Sequence, residues 1–523
     1  MLARVWGACT QFTSATSVLG ARAFGSEAFL PCNTAGSSLA RSFTGGAAVS
    51  ARASPLPTPT GRPRLVILGS GWGGARLVKD IDLNQYDVTI VSTRNHMVFT
   101  PLLTSTCVGT LEPRCAAVPI VGLRPELEHP QHKLYIAEAT QVDPAARTIS
   151  CTDTTGLTFE VPYDVLTLST GSQVGPLQSS STFGTPGVEE HAHFLRDVAN
   201  ATAIRSTLIK NWMLANIPGR TGPERCRLLH IVVVGGGPTG VEFAGELTDF
   251  IQKDLHKIDP ARASDIKVTL IEAVELLSAF DGRLREYASQ RLTRRGIKIV
   301  KGLVKEIRET DLTLDNGDKM EYGLCVWSTG VGPTTFTTAL PFAKTARGRI
   351  AVDDCQRVLR QIHASGKAAE PSSVDDVERK DRPQEGSADH EDPSNREVVP
   401  NIYAVGDCCA SATQPLPALA QVAEQQGKYL ARVLNAKAKG GQPSAAQLSP
   451  FRYRHMGSMA TTGGGSAVID LGKGKSHLTF TGIKSYLAWR SAYLTKLGSW
   501  RNRFFTAGNW FMTTLFGRDV SRW

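Results

Sequence analysis

The stretch HIVVVGGGPTGVEFAGE, residues 230–246, contains the pattern from which the fold can be predicted. A run of β-branched residues, Ile231–Val234, leads into three spaced glycines, Gly235, Gly237 and Gly240, and the chain then continues as a helix-forming segment. At this spacing the first glycine permits a tight turn, the second lets backbone N–H groups approach a pyrophosphate, and the third lets the helix pack on the strand. The stretch therefore predicts a dinucleotide-binding turn.

The same pattern occurs earlier in the chain, where RLVILGSGWGGARL carries Gly69, Gly71 and Gly74 after a strand-forming run. Each turn is followed by a second predicted strand, YDVTIVS or IKVTLIEA. Each unit then has a closing strand that ends in Ser-Thr-Gly, within YDVLTLSTGS or YGLCVWSTGVGP. This duplicated βαβ plan predicts an α/β fold with two nested Rossmann-like dinucleotide-binding domains.

The residues at the strand ends indicate which dinucleotide each turn binds. Glu272 ends the second strand of the later unit, where a carboxylate bonds both ribose hydroxyls and repels a 2′-phosphate, so NADH is expected in preference to NADPH. In the earlier unit Ser92 suits a ribose hydroxyl but Arg94 suits a 2′-phosphate, and that site stays ambiguous. The Ser-Thr-Gly ends are expected at the two dinucleotides, with Thr170 and Gly171 at the first and Thr329 and Gly330 at the second.

The turn IYAVGDCC, far downstream of the first glycines, resembles the second fingerprint of FAD-binding oxidoreductases that have two dinucleotide sites. In those proteins an aspartate after a strand and a glycine bonds the ribityl chain of the flavin, and Asp407 matches it. The resemblance implies that the first turn holds FAD non-covalently and that the second receives NADH as the substrate. Hydride would then pass between stacked rings.

The cysteine pattern bears on where the electrons go next. The helix after the first turn, ARLVKDIDLNQY, has no cysteine, whereas glutathione-reductase-like proteins carry a Cys-x-x-x-x-Cys disulfide there. None of the ten cysteines forms a Cys-x-x-Cys pair, so a thioredoxin-like motif and a zinc ribbon are not indicated. With these routes excluded, a quinone is the expected electron acceptor.

Several linked stretches resemble the type II, or alternative, NADH:quinone oxidoreductases. They are RNHMVFTPLL, FGTPGVEEHAHFLRD, VVVGGGPTGVEFAGEL, VWSTGVGP, IYAVGDC, ALAQVAEQQGKYLA, FRYRHMGSMATTGGG and FGRDVSR. The resemblance covers residues 64–523 apart from an acidic insert. It implies a rotenone-insensitive enzyme that does not pump protons and that passes two electrons from NADH through FAD to a membrane quinone of the ubiquinone type.

The resemblance also implies where the quinone binds. In ALAQVAEQQGKYLA, Ala420 and Gln421 should abut the pyrimidine edge of the flavin. Gln421, Gln425 and Gln426 match a quinone-site motif, Ala-Gln-x-x-x-Gln-Gln. An amide suits this role because it bonds a quinone carbonyl without introducing a buried charge.

Two residues are candidates for proton delivery to the quinol. Glu242 lies just inside the helix of the second turn, where the resemblance implies a carboxylate near the reaction centre. It either delivers a proton or caps the positive end of that helix. His455 is the other candidate, although a structural role is the simpler interpretation for this histidine.

The N-terminal residues 1–60 contain a single acid, Glu27, and are rich in Arg, Ser and Ala. This composition is typical of a mitochondrial transit peptide followed by a linker, with a merely disordered tail as the alternative. The expected domains after it are a first FAD-binding part, the NADH-binding domain, a second FAD-binding part and a C-terminal membrane-anchoring or dimerisation region. Their expected bounds are 61–228, 229–345, 346–450 with a disordered acidic insert at 361–397, and 451–523.

The segment after Gly482 has seven basic residues and one acid. Aromatic and basic residues side by side suit the head-group layer of an anionic bilayer, and packing on the domain or on a second copy is the alternative. Gly498 is expected to break a helix here. The apolar residues predicted to share one helical face are Ile483, Tyr486, Leu487, Tyr493, Leu494, Leu497, Trp500 and Phe504.

Together these features predict a peripheral enzyme of the mitochondrial inner membrane. We expect a homodimer with no metal site and no nucleic-acid partner. No stretch approaches the ~18 consecutive apolar residues that a membrane-spanning helix needs. The alternatives are a flavin- and NADH-binding redox sensor that resembles the apoptosis-inducing factor, and a sulfide:quinone or ferredoxin reductase.

Overall fold

The structure is a computed structural model. It describes residues 61–173, 184–362, 395–440, 449–472 and 479–521. The predicted transit peptide and its linker lie outside these residues. Strands and helices are numbered below in chain order.

Ten strands of the described residues form the first sheet, which contains the first glycine turn. In order across the sheet they are β20 (Cys409–Ser411), β17 (Ile350–Val352), β18 (Arg357–Gln361), β19 (Arg396–Ala404), β8 (Val165–Leu168), β1 (Arg64–Leu68), β2 (Asp87–Ser92), β5 (Lys133–Asp143), β6 (Thr148–Asp153) and β7 (Thr158–Pro162).

A second sheet contains the second glycine turn, and three small sheets accompany the two large ones. The second sheet has the order β12 (Ile297–Lys301), β11 (Lys267–Glu272), β10 (His230–Val234), β16 (Leu324–Trp327) and β9 (His193–Phe194). The small sheets are formed by β13 (Val304–Ile307), β14 (Asp311–Leu314) and β15 (Lys319–Glu321), by β21 (Ser458–Gly463), β22 (Ser466–Asp470) and β23 (Thr479–Gly482), and by β3 (His96–Val98) and β4 (Ala117–Pro119).

The helices of the described residues include short connecting turns and a few long elements. They are α1 (Trp72–Asp80), α2 (Leu103–Cys107), α3 (Pro113–Ala116), α4 (Val188–His191), α5 (Val198–Leu214), α6 (Gly222–Leu228), α7 (Pro238–Phe250), α8 (His256–Ile258), α9 (Pro260–Asp265), α10 (Gly282–Arg294), α11 (Thr335–Ala339), α12 (Ala420–Ala438), α13 (Ile483–Lys496) and α14 (Trp500–Phe516). A π-helical segment, Ile251–Leu255, links α7 to α8.

The central strands of both large sheets are parallel and buried. β1 pairs with β2 and β8, and β10 pairs with β11 and β16, all in parallel register. Leu65 and Val232 are fully inaccessible to solvent. Strands that helices cover on both faces read as continuous apolar runs, which explains why RLVIL and HIVVV do not alternate. The two sheets and their glycine turns confirm the predicted Rossmann-type α/β fold.

The structure narrows the segment that was expected as an acidic insert at 361–397. β18 extends through Gln361 and β19 begins at Arg396, and these two residues pair in antiparallel register. Residues 363–394 lie outside the described residues. The bounds predicted from composition, 361–397, therefore include residues at both ends that belong to β18 and β19. Their polar side chains resemble those of the insert, and only the backbone hydrogen bonds between the two strands show that they are part of the sheet.

The C-terminal tail does not form the single apolar face that the sequence suggested. Gly498 lies between α13 and α14, so a helical projection cannot continue from one to the other. Four of the eight residues pack on the core, Tyr486, Tyr493, Leu494 and Leu497, and four are exposed, Ile483, Leu487, Trp500 and Phe504. Among the helices of the described residues, none combines the length and apolarity needed to cross a bilayer.

Candidate functional site

The glycines of the first turn fit a bound dinucleotide. A Cβ at Gly69 would lie 2.3 Å from the carbonyl oxygen of Ser169, and one at Gly74 would lie 2.1 Å from that of Gly69. Glycine is therefore required at both positions. At Gly71, which begins α1, an added Cβ would meet no atom within 4 Å. This open space in front of the helix N-terminus is where a pyrophosphate approaches in such turns.

Asp407 lies at the same edge of the sheet as this turn, because β19, β8 and β1 are adjacent and parallel. Its carboxylate accepts a hydrogen bond of 2.8 Å from the hydroxyl of Ser172. Arg196 donates to the same hydroxyl at 3.0 Å, and its Nη2 lies 3.8 Å from Oδ2 of Asp407. The Nη1 of Arg196 is buried and has no hydrogen-bond partner within the described residues. A buried guanidinium nitrogen with an unused donor indicates a missing acceptor at this edge.

Sequence reasoning did not select Arg196 or Ser172. Arg196 lies within FGTPGVEEHAHFLRD and Ser172 within YDVLTLSTGS, but neither stretch shows that they lie next to Asp407. That proximity depends on the packing of the loop after β8 and the segment before α5. Burial lowers the pKa of Arg196, while the charge of Asp407 acts in the opposite direction. The arginine remains charged, so the group that it faces should be anionic.

At the end of β2, the two residues that left the first site ambiguous, Ser92 and Arg94, both contact other protein side chains. Ser92 is buried and its hydroxyl lies 2.8 Å from the hydroxyl of Ser70. Arg94 pairs with Asp197 at 3.4 Å, although its Nε is buried without a partner among the described atoms. Thr170, at the closing strand end, lies 3.2 Å from the hydroxyl of Thr337, and Gly171 follows it with φ of +72°.

The second turn repeats this geometry. A Cβ at Gly240 would lie 1.9 Å from the carbonyl oxygen of Gly235, and one at Gly235 would lie 2.8 Å from the side chain of Thr329. Gly237, at the N-terminus of α7, has no atom within 4 Å of the added carbon. Gly330 follows Thr329 with φ of +68°. The turn thus leaves the same open space before a helix as the first one does.

Glu272 is held at the end of β11 by two backbone donors. The N–H of Gly236 bonds one carboxylate oxygen at 2.5 Å, and the N–H of Val274 bonds the other at 3.0 Å. A cavity of about 370 Å³ lies beside Glu272, with Leu276 and Arg285 in its lining.

The three glutamines of α12 have different surroundings. Gln426 is buried, and its amide oxygen accepts a 2.7 Å bond from the N–H of Gly406, just before Asp407. Gln421 and Gln425 instead bond the backbone of residues 454–457, each with its amide oxygen accepting and its amide nitrogen donating. Ala420 is the first residue of α12, whose N-terminus has no side-chain cap. Its free N–H groups and positive dipole end suit an electron-rich ring edge.

Glu242 is buried inside the fold, with 5% of its surface exposed. The N–H of Thr461 donates to its carboxylate at 3.3 Å, and Trp489 and Tyr493 of α13 lie beside it. Desolvation, opposed by the Thr461 bond and reinforced by the charge of Glu246, raises the pKa of Glu242 to about 8. The carboxyl group is therefore predominantly protonated at neutral pH.

A short segment connects Glu242 with the α12 glutamines. Gln421 accepts from the N–H of Met456, and Glu242 accepts from the N–H of Thr461, five positions later in the same chain segment. Five residues of extended chain span at most about 17 Å. His455 is exposed in this segment and its Nδ1 lies 3.1 Å from the hydroxyl of Tyr453.

The C-terminal segment also reaches the core through Arg518. Its guanidinium lies 3.2 Å from Glu246 and 2.8 Å from Asp254, and its Nε donates to Thr110 at 2.7 Å. All three charged side chains are less than a tenth exposed. Arg518 is thus an internal ion-pair partner, and counting it among cations available to a membrane surface was wrong. Sequence alone could not reveal this, because its partners lie on α7 and the π-helical segment far away in the chain.

The fold and its two glycine turns define the class of pyridine nucleotide-disulphide oxidoreductases, whose family model matches residues 63–391. A model of the NDH2 C-terminal domain matches residues 455–519. The internal alternative NAD(P)H-ubiquinone oxidoreductase A1, mitochondrial, of Solanum tuberosum is 45% identical over 481 residues, which cover 88% of each chain. The protein of the same name from Arabidopsis thaliana is 45% identical over 487 residues, or 89% of this chain and 87% of that one.

Among solved structures, NDH2 from Plasmodium falciparum in complex with NADH matches with a TM-score of 0.73 and 24% identity, over 88% of this chain and 100% of that one. The sulfide:quinone oxidoreductase of Aquifex aeolicus matches with a TM-score of 0.59 and 16% identity, which shows a shared fold alone. The chain belongs to the alternative, type II NAD(P)H–ubiquinone oxidoreductases. The resemblance found in the sequence is confirmed, and the redox-sensor alternative is not favoured.

Proposed function

We propose that this chain is a peripheral flavoenzyme of the mitochondrial inner membrane. It transfers two electrons from NADH through FAD to ubiquinone without pumping protons. One observation carries the proposal: each glycine turn has its own companion acid, Asp407 at the first and Glu272 at the second. A chain that holds one dinucleotide and exchanges another needs two such sites on adjoining sheets.

The residues at the first turn fit FAD. Gly71 leaves room for the diphosphate, Asp407 offers a carboxylate for the ribityl hydroxyls, and the unpaired donor of Arg196 meets the anionic part of the cofactor. Gln426 stabilises the turn that carries Asp407 by accepting a hydrogen bond from the N–H of Gly406. Bound FAD supplies the chemistry, since it accepts hydride from NADH and returns two electrons to a quinone, while the protein positions the rings.

At the second turn we propose that Glu272 selects NADH. The two backbone bonds hold its carboxylate in place, where it accepts bonds from the adenosine ribose hydroxyls and repels a 2′-phosphate. Thr329 and Gly330 close the site on the other side of β10. Burying like charges against each other disfavours NADPH.

The quinone is proposed to bind where α12 meets the segment 454–457. The side-chain amides of Gln421 and Gln425 already donate hydrogen bonds to that backbone. Contact with a quinone carbonyl would replace one such hydrogen bond by another, and the net free-energy cost of this exchange is small. The buried, protonated carboxyl of Glu242 is proposed to deliver a proton toward the reduced quinone along the 456–461 segment. A group whose pKa lies near the working pH suits proton transfer.

Attachment to the bilayer is proposed to occur through α13 and α14. The buried residues of α14 are Asn502, Thr506 and Trp510, and Asn502 donates to the carbonyl of Ala117 at 2.9 Å, whereas several large apolar residues of the helix are exposed. Trp500, Phe504 and Phe511 are 75%, 79% and 62% exposed. An outward apolar face with basic neighbours fits the interface of an anionic membrane. A homodimer is proposed to use part of the same tail, and sedimentation velocity would test it.

The proposed function is tested with the purified full-length chain. Acid should release FAD from a yellow protein, and addition of NADH with a short-chain ubiquinone should give steady, rotenone-insensitive quinone reduction. A protein that binds FAD and NADH but gives no quinone turnover would favour the redox-sensor alternative. A protein that releases no flavin would overturn the assignment of the first turn.

A further inference from the structure

An open groove of about 1190 Å³ lies between α12 and the segment 449–457. Four basic side chains line it, Lys428, Arg432, Arg452 and Arg454. The lining contains no Asp or Glu among the described residues. We call this feature the basic groove. It adjoins the proposed quinone site, with which it shares Gln425 and the segment 454–457.

The cations of the basic groove are available to a ligand. Lys428, Arg432, Arg452 and Arg454 are all exposed, and within the described part of the chain none of them has a carboxylate partner. Lys428 and Arg432 share one face of α12, since they are one helical turn apart. Like charges gathered along low-dielectric walls produce a positive potential that attracts an anion.

The floor of the groove is apolar. The rings of Tyr429 and Phe451 meet edge to face at 5.6 Å, and Met456 and Leu471 also line it. Met456 is 56% exposed and Leu471 is 41% exposed. A free phosphate or a nucleotide would leave these two apolar side chains in water. Cations at the rim and apolar side chains below fit a ligand that has an anionic head and a hydrocarbon tail.

The basic groove is continuous with the surface proposed to face the bilayer. β21 starts directly after the groove segment, and Leu471 directly follows β22, the neighbour of β23. β23 carries Phe480, which is 47% exposed, and leads into Ile483 of α13, which is 68% exposed. Exposed apolar side chains therefore extend from the groove to the first turn of α13.

We propose that the basic groove binds an anionic phospholipid, with its phosphate on the four cations and its first acyl carbons on Met456 and Leu471. The inference rests on the proposed attachment to the membrane. The bound lipid would lie against Gln425, beside the place where a long-tailed quinone enters from the bilayer. The groove thus adds a site for a single lipid molecule to the surface that α13 and α14 present to the bilayer.

The first test needs no bilayer. Dihexanoyl phosphatidylglycerol below its micelle concentration is titrated into the FAD-loaded protein and followed by calorimetry, with dihexanoyl phosphatidylcholine and inorganic phosphate as comparisons. We expect saturable 1:1 binding of the phosphatidylglycerol alone. The triple variant Lys428→Gln, Arg432→Gln, Arg452→Gln should bind about 100-fold more weakly, since each cation near an anionic group contributes about fivefold. Equal binding of inorganic phosphate would show a free-anion site, and equal binding by the triple variant would overturn the proposal.

Flotation with lipid vesicles distinguishes lipid binding in the basic groove from attachment to the membrane through α13 and α14. Wild type, the triple variant and a matched control, Lys298→Gln, Lys305→Gln, Lys319→Gln, are floated with phosphatidylcholine vesicles with or without one-fifth phosphatidylglycerol. The three control lysines are exposed on the NADH-binding half. The triple variant alone should show a weaker preference for anionic vesicles than wild type, because only the basic residues of α13 and α14 remain, while its flavin absorbance and its NADH:ferricyanide activity stay unchanged. Absence of vesicle binding by wild type, together with 1:1 binding of the soluble lipid, would refute the membrane proposal and leave the groove intact. A preference in the triple variant equal to that of wild type would refute the groove.

Discussion

Glu242→Gln should change how the stability of the protein depends on pH. The carboxyl group of Glu242 has a pKa raised from 4.5 to about 8 by burial. A group whose pKa is raised on folding contributes stability that is fully present below pH 4.5 and is lost as the pH rises through 8. The unfolded chain ionises freely over that window, whereas the folded chain keeps its proton. Glutamine stays neutral at every pH and does not incur this loss.

The size of the effect follows from the shift. A displacement from 4.5 to about 8 corresponds to a difference on the order of 5 kcal/mol in the free energy of unfolding. Relative to Glu242→Gln, the wild type should therefore be similar in stability at pH 4.5 and less stable at pH 9 by up to this amount. Urea unfolding at several pH values, with excess FAD and tryptophan fluorescence as the signal, measures the divergence.

A matched control keeps this test specific. Glu189→Gln changes an exposed glutamate at the start of α4, and its stability difference from wild type should stay constant with pH. The reasoning about Glu242 is refuted if its difference from wild type is equally constant between pH 4.5 and 9. It is also refuted if the wild type gains stability relative to the variant as the pH rises, because that sign would mean an ionised, paired carboxylate.

Three further predictions concern the other residues. Glu272→Gln should lower the ratio of kcat/KM for NADH to that for NADPH tenfold or more, because removal of about 1.4 kcal/mol of repulsion corresponds to a factor of ten. An unchanged ratio would contradict the role of Glu272 in selecting NADH. Arg196→Met should weaken FAD binding about tenfold or more, since one charged hydrogen bond contributes about 1.5–3 kcal/mol, whereas Arg225→Met, an exposed control, should not. Equal flavin retention by Arg196→Met and wild type on gel filtration would contradict the role of Arg196. Phe504→Ser with Phe511→Ser should lower binding to anionic vesicles about 100-fold or more, since each buried side chain contributes about 1.5–3 kcal/mol, and the flavin content should not change. Unchanged flotation would show that α14 does not contact the membrane.

The tail is tested by substitutions because it is not separable from the core. Trp489 is 2% exposed beside Glu242, and Arg518 is paired inside the protein with Glu246 and Asp254. A chain shortened before α13 would expose this buried carboxylate pair and lose part of the wall around Glu242. Breaking a buried ion pair by removing one partner costs about 3–5 kcal/mol. Loss of flavin or of membrane binding after such a truncation would therefore not identify the anchor.

The features that the sequence predicted are local ones. The glycines at 69 and 74 must be glycine because an added carbon would collide with a backbone oxygen, and such requirements leave a readable spacing. The strand runs before them are equally visible because both faces are buried. Asp407 was proposed through the resemblance of IYAVGDCC to a flavin-binding fingerprint, which is also a local pattern.

The features that the sequence did not predict depend on contacts between distant segments. Arg196 meets Asp407 across the sheet edge, and Trp489 meets Glu242 from the last part of the chain. Gln426 was grouped with Gln421 by a motif, yet the two amides bond different segments, because residues five positions apart on a helix point about 140° apart. The single apolar face predicted for the tail was wrong because α13 ends before Gly498 and α14 begins after it, so the helical projection does not continue from one helix to the next.

Anaerobic stopped-flow absorbance of the bound flavin follows the two half-reactions, reduction by NADH and reoxidation by ubiquinone, separately. NADH should bleach the flavin band of the wild type, and ubiquinone mixed in a second push should restore it. In Gln421→Leu the bleaching should keep its rate while the reoxidation slows, and the exposed control Gln414→Leu should match the wild type in both. Electron transfer from NADH to quinone would be contradicted if, in the wild type, NADH did not bleach the flavin or ubiquinone did not reoxidise it. Slowed bleaching with normal reoxidation in Gln421→Leu would instead assign Gln421 to the nicotinamide side of the flavin.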